Sequence, residues 1–461
     1  MVSATARPPS NVSTGVRLGY AVGSFCSANF TTIPGLLLLI YMTDVLAVPA
    51  LLAGVVVFLP KAWDLIANPL VGQWSDRTTS RWGPRRPWLL AGAAVLPLFF
   101  ALMFLGPPLK GTSAGIFVGV MFLIAATGFA LYEVPYKAMP AEMTSSYHER
   151  TSLLQWRMVF IAISIGLSGI VAPLIAGHTV DGYRMMGIVF ALILLAAMIG
   201  SFYGTARAPF TGQQQSAGGT LRAQVRAART SKPFMWLLGL SSAQTLAAGV
   251  MLAGAPYFAA YTLDDPDAKV TLFAALVAPM LVTMPLWVWL ARRLDKRGAM
   301  ILAAALFAIG DILAVGAPAL GSLYAHLAVV VVGIGYAGLQ LLQFSMLADV
   351  IAYDGAVSGE RRGGVFTGLW TAAENAVAAF GATIYGATLA VGGFISSDPE
   401  NPVTQPESAH TAVIVGLTAI PAVITIASIW MTMKYDLTAD RLAAITASEP
   451  KETSETAAPE A

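Results

Sequence analysis

Charge is scarce in this chain: Asp, Glu, Lys and Arg together make up 11% of its 461 residues, where a soluble domain carries about a quarter. A water-soluble fold could not cover its surface with so few charges. Cysteine is scarcer still, and the single Cys26, set in an apolar block, excludes both a disulfide framework and a Cys-based metal site within one chain. It reads as a small buried apolar residue. The four histidines show no metal-ligand spacing, and there is neither a Gly-rich phosphate loop nor a Ser/His/Asp grouping. No cofactor is expected. A formal net charge of +2 is too small to attract a polyanion, which sets nucleic acid aside as a partner.

What the chain has in abundance is apolar sequence, 56% of the total, gathered into blocks of about 20 residues, the length at which a helix spans a bilayer's hydrocarbon core. The blocks predict helices over 16–42, 48–73, 88–107, 113–137, 153–176, 184–203, 234–261, 269–291, 298–317, 320–351, 365–392 and 409–432. The expected fold is therefore an all-α membrane protein of twelve transmembrane helices in two six-helix bundles, 16–203 and 233–434. A basic linker, 204–232, joins them. Residues 1–15 and 435–461 are polar and read as disordered cytoplasmic tails, the first lacking the short apolar core of a signal peptide.

Orientation follows from where the cations fall, because cytoplasmic loops retain Lys and Arg. The even-numbered loops carry Arg77, Arg81, Arg85 and Arg86, then Arg207, Arg222, Arg226, Arg229 and Lys232, then Arg292, Arg293, Lys296 and Arg297, then Arg361 and Arg362. The odd-numbered loops are poorer in cations, with Lys110, Arg184 and Lys269, and two of them are acidic. Both termini are expected in the cytoplasm, in a multi-pass protein of the cell (inner) membrane. A faint internal repeat places the segment Gly72 to Arg86 in the first half where Arg292 to Gly298 stands in the second, as in transporters built by duplication.

An ionisable group within an apolar span costs roughly 2.5–3.5 kcal/mol by insertion measurements, so each one needs a reason. Lys61, Asp64 and Asn68 recur at i, i+3 and i+7 on the second helix, which puts an ammonium, a carboxylate and an amide on one face. Glu133 lies among Tyr132, Pro135 and Lys137 on the fourth helix, Arg157 beside Trp156 on the fifth, and Glu374 beyond Trp370 on the eleventh. Carboxylates and cations thus converge from several helices. The competing reading is that these charges only pair with one another and fasten helices together. Asp311 and His326, near the expected outer ends of helices nine and ten, read as solvated or satisfied groups, and Trp63, Trp156 and Trp370 more readily as packing residues than as ligand platforms.

The run Lys61-Ala-Trp63-Asp64-Leu-Ile-Ala67-Asn68-Pro69-Leu-Val-Gly72, continuing through Asp76-Arg77-Thr78 to Arg81-Trp82-Gly83 and Arg86-Pro87-Trp88, resembles the signature of the glycoside–pentoside–hexuronide:cation symporters, the melibiose-permease group of the major facilitator superfamily. Tyr41-Met-Thr43-Asp44-Val45 and Glu133-Val-Pro135-Tyr136 are similar to further segments of that family. The likeness covers 17–160 clearly and the second half mostly in hydropathy and loop charge. It implies alternating access and uptake of a sugar or glycoside driven by sodium or protons, with a small-molecule solute, a coupling cation and the lipid bilayer as partners of a monomer.

Carried across residue by residue, the resemblance makes Asp64 a carboxylate of the cation site, Glu133 an acid shared between cation and sugar, and Arg157 a sugar-binding arginine. Asn68 stands where the family has a second carboxylate, Ala67 where it has an amide ligand, and Ala130 where it has a hydroxyl. Sodium needs a shell of oxygen ligands, whereas a proton needs one suitably placed carboxylate. Proton coupling is accordingly expected over sodium, with Asp64 and Glu133 sharing the exchangeable proton and Asn68 nearby. On the solute side the family's acidic ligand falls at Ala28 or Asn29, a stacking aromatic is replaced by Lys137, and a lysine by Glu374. Asn29, Lys61, Lys137, Trp156, Arg157, Trp370 and Glu374 form the candidate solute set, and its cations suit a uronide or another organic acid as well as a neutral sugar. Gly72-x-x-x-Asp76-Arg77, with Arg85 and Arg86, resembles the superfamily's gating loop. Three alternatives stay open: a carrier of amphiphilic, lysolipid-like solutes, a membrane-embedded enzyme using Asp64 and Glu133 as an acid/base pair, and a channel or solute-sensing receptor.

Overall fold

A computed structural model describes residues 12–144, 147–209, 226, 229–358, 363–437 and 441. Most of the two tails, most of the 204–232 linker and the Arg361/Arg362 pair lie outside the described residues. Within them the secondary structure is helical, apart from one isolated bridge between Asp398 and Asn401. In chain order the long helices are α1 (Thr14–Leu38), α2 (Ala50–Asp76), α3 (Arg86–Phe104), α4 (Gly111–Met143), α5 (Tyr147–Gly166, continued by Ala172–Ala176) and α6 (Val180–Gly204). The second half follows with α7 (Lys232–Tyr261), α8 (Ala268–Arg293), α9 (Asp295–Ala314), α10 (Ser322–Ser358), α11 (Gly363–Val391) and α12 (Glu407–Lys434). Ten of the described helices are long and apolar enough to cross a membrane, and α8, bent by 42°, makes an eleventh when taken as one span. The polytopic all-α fold read from hydropathy is the one observed, and α11, 29 residues long, is the remaining long helix.

Proline shapes the helices that carry the chemistry. Pro60 and Pro69 lie inside α2 and bracket the Lys61–Asn68 segment, while Pro135 and Pro140 lie inside α4 just beyond Glu133. Each removes one amide from the helical ladder, which is tolerated in a membrane where neighbouring helices cover the freed carbonyl. At Pro34 the α1 ladder widens into a π turn, Pro34–Leu38, and a second one, Tyr41–Val45, carries Asp44. Wide turns of this kind re-aim side chains.

Within each half the packing is repeated: α3 lies along α4 and α6, and α9 along α10 and α12. Between halves α2 crosses α11, where a methyl group on Gly386 would sit 2.6 Å from the Ala50 carbonyl oxygen. Only a residue without a side chain admits so close an approach. The described chain begins and ends on one side of the bundle, here the terminal end, and the opposite side is the remote end. The hydrogen bonds and ion pairs that join the halves among the described residues lie in the remote half of the spans or in the loops beyond it. The bundle is therefore latched at its remote end.

Candidate solute and cation site

Glu133 is the hub. Buried on α4, it accepts a hydrogen bond from the Ser27 hydroxyl of α1 at Oε2 (2.6 Å), while Oε1 faces Lys137 Nζ at 3.0 Å and Arg157 of α5 at 3.5 Å. Three helices thus meet on one carboxylate. Lys137 is one turn from Glu133 and keeps its ammonium half in the open, whereas the Arg157 guanidinium lies mostly buried near the Tyr136 ring. Two cations against one carboxylate in a water-poor setting hold Glu133 as an ion-paired anion, since breaking such a pair leaves an uncompensated charge.

Asp64 is placed differently. It is buried on α2, and its Oδ1 has no hydrogen-bond partner. Lys61, Lys137 and Glu133 lie close enough to act on it electrostatically, yet no described cation reaches ion-pair distance of its oxygens. Lys61 and Asn68 are half-buried on the same helix. Trp63 ties α2 to α4 by donating to Thr127 Oγ1 (3.0 Å), a packing role. Ala67 and Ala130 are buried together in an apolar cluster with Val71, so both positions where oxygen donors were expected by resemblance are dry contacts between α2 and α4.

The remaining solute candidates separate. Asn29 is fully buried, and its amide is engaged at both ends, accepting from Ser168 Oγ (2.5 Å) and donating to the Phe25 carbonyl (2.7 Å). In this conformation it fastens α1 to the π turn Leu167–Val171 that lies between the two parts of α5. Trp156 is exposed, Trp370 is buried on α11, and Glu374 is half-buried one turn further on. The two halves are thus represented unequally, with the ionised cluster belonging to the first.

In the expected gating loop Asp76 is held by Arg85 (2.6 Å), while Arg77 is exposed. Arg85 also reaches Glu142 of α4 (2.6 Å) and Ser75 Oγ (2.6 Å), and Arg86 donates to the Phe202 carbonyl while lying over its ring. Gly72 lies one turn before Asp76 on α2. The second half repeats the device with Lys296, which grips both oxygens of Asp349 on α10 at 2.7 and 2.6 Å. Glu142 and Asp349 escaped the sequence reading because each falls at the terminal end of a long apolar helix, where a carboxylate carries no distinctive signal. Asp311 also departs from expectation: it is 2% exposed, and its Oδ2 has no partner. Packing of α9 against α10 encloses it. His326, as expected, is satisfied, meeting Thr271 Oγ1 and the Ser322 carbonyl.

The remote latch is built from residues that hydropathy alone does not single out. Tyr261 of α7 donates to Asp44 (2.6 Å), Thr43 meets Tyr257 (2.6 Å), and Lys110 pairs with Glu400 (2.8 Å) and Asp398 (3.1 Å) across the halves. His178 faces Asp267, and Lys269 donates to the Gly177 carbonyl.

Helices of membrane-spanning length in two repeated halves, closed at one end around buried charges, define a membrane transporter. The chain belongs to the MFS/sugar transport protein family, which it matches over residues 19–439. An uncharacterized symporter of Synechocystis sp. is 26% identical over 92% of this chain and 94% of the relative. The isoprimeverose transporter of Lactiplantibacillus pentosus is 24% identical over 84% of this chain and 82% of its own. The crystal structure of a D-xylose-proton symporter has the same fold, with a TM-score of 0.64 at 17% identity over 90% of this chain and 96% of that one.

Proposed function

We propose that this protein is a proton-coupled symporter of a sugar, glycoside or uronide that works by alternating access, with both termini in the cytoplasm. The cation-rich loops at the terminal end support that orientation, which makes the remote latch an external gate and the conformation inward-facing. The observation that carries the reading is the unequal placement of the two site carboxylates. Glu133 is ion-paired and hydrogen-bonded at both oxygens, whereas Asp64 is buried with an oxygen left unpartnered. Burial without a cation in contact favours the protonated acid, and contact with two cations favours the anion. The exchangeable proton therefore resides on Asp64, and Glu133 acts as the fixed anion that Lys137, Arg157 and a solute contest, a sharper division than a proton shared between the two.

A sodium site is disfavoured on the same ground. Ala67 and Ala130 supply methyl groups to a dry cluster with Val71 where a hard cation would require oxygens. Lys61, Lys137 and Arg157 outnumber the two acids, which suits a solute with a carboxylate as well as hydroxyls.

Two measurements test this. In proteoliposomes given an external glucuronide probe, uptake is expected in sodium-free buffer under an inward proton gradient; uptake that is dead there and revives with sodium overturns proton coupling. Asp64→Asn is expected to lose accumulation against a gradient while retaining exchange of probe across the membrane. Undiminished accumulation by that variant would move the proton elsewhere.

A further inference from the structure

We propose that Ser27 is the positioning residue for the Glu133 carboxylate, its hydroxyl holding Oε2 while Lys137 and Arg157 hold Oε1, and so helping to leave the coupling proton to Asp64. The inference rests on the proton reading above and deepens it. A serine or threonine within a helix ordinarily spends its hydroxyl proton on the carbonyl four residues back, as Thr127 does toward Leu123 and Thr432 toward Ser428. Ser27 instead donates across the helix interface to Glu133 Oε2, at 2.6 Å and with both groups buried. A hydroxyl has one proton, so this choice fixes the hydroxyl rotor and leaves Glu133 only acceptor roles.

The geometry divides the carboxylate. Oε1 is given to Lys137 and Arg157, the cations that a solute would displace, and Oε2 is reserved by Ser27. When a solute draws those cations away, Ser27 is the donor that still holds the charge. The other groups acting on this region are Tyr20 and Cys26 from α1, Lys61 and Asp64 from α2, and Tyr132 and Tyr136 from α4. Only Lys61 among these is a cation, and it lies on the Asp64 helix, so it does not replace the lost donor at Oε2.

Removing the hydroxyl leaves a buried carboxylate oxygen without a donor, and hydrogen bonding to the ionised form is one of the causes that keep an acid ionised. In Ser27→Ala Glu133 is therefore expected to take up a proton more readily, so that two acids compete for one proton.

The experiment needs no solute, because the proton is the probe. Infrared titration of the purified full-length protein reports carboxyl C=O stretches, assigned by their loss in Asp64→Asn and Glu133→Gln. In the wild type the expected titrating site band is the one lost in Asp64→Asn. Ser27→Ala is expected to add a band lost in Ser27→Ala/Glu133→Gln, and Ser27→Thr, which keeps the hydroxyl, is expected to match the wild type. A Ser27→Ala spectrum identical to the wild type, or a Ser27→Thr spectrum identical to Ser27→Ala, overturns the role of Ser27 alone. If no wild-type band is lost in Asp64→Asn, the proton reading itself falls, and the Ser27 inference with it.

Discussion

At the scale of single residues, the membrane makes unpartnered polar atoms conspicuous, and they fall into two kinds. Asp64 lies among other ionisable groups from neighbouring helices, and its unpartnered oxygen is the observation on which the proposed proton-carrying role rests. Asp311 lies on α9, enclosed by the second half's own packing, with no charged group among its hydrogen-bond or ion-pair partners. A buried oxygen with no partner costs about 1–3 kcal/mol. Asp311→Leu is therefore expected to raise thermal stability in detergent by about that amount and to leave uptake unchanged. Lost uptake at unchanged stability would instead assign Asp311 to transport. Arg85 shows the opposite case, a buried cation that is fully used by Asp76, Glu142 and Ser75 and so fastens the terminal ends of α2, α3 and α4.

At the scale of elements, the α2–α11 crossing bears on whether the remote ends of the two halves can close. Gly54 and Gly386 let the two backbones meet, and Thr383 Oγ1 donates to the Gly54 carbonyl at 3.0 Å. A side chain at 386 would collide with the Ala50 carbonyl oxygen, a backbone atom that cannot swing aside. Gly386→Val is expected to keep the remote ends apart and to lower the turnover of uptake by tenfold or more, about 1.4 kcal/mol in the conformational equilibrium. Spin labels on the exposed Ser113 and Glu407 would report a longer distance across the gate. An unchanged distance would show that the crossing yields elsewhere.

At the scale of the whole molecule, an ionic contact outside the spans joins the two halves while the buried charges lie within the first half, and pH acts on the two separately. Burial works against ionisation of Asp398, but hydrogen bonds from Lys110, from Asn401 and from the Glu400 and Asn401 amides hold its carboxyl below the usual carboxylate range. Hydrogen bonds to Glu400 and Asp398 in turn hold the Lys110 ammonium above its ordinary value. A depressed acid contributes its stabilisation above its ordinary pKa and loses it only as pH falls through the lowered value; a raised lysine contributes below its ordinary pKa and loses it only as pH rises through the raised one. Across the neutral range the Lys110–Asp398 contact of the latch is therefore constant. Lys110→Gln is expected to change the rate of uptake and lengthen the Ser113–Glu407 distance without moving the pH midpoint of uptake. A shifted midpoint would place part of the pH response in the latch.

Hydropathy and loop charge by themselves determined the lipid solvent, the polytopic helical fold and the duplicated plan, because a span's length and a loop's cations are local properties that no tertiary contact can reverse. They also picked out Asp64, Glu133 and Arg157, since charge in an apolar run has no cheap explanation. Only the tertiary structure decided what each does: that Glu133 is claimed by Ser27, Lys137 and Arg157, that Asp64 is left over, and that Asn29 is spent between helices. Ser27, Thr43, Tyr257 and Tyr261 are unremarkable in sequence because a hydroxyl in a helix can always satisfy itself locally. Their importance comes from which neighbour the fold sets within 3 Å, and that is settled by the packing of distant segments.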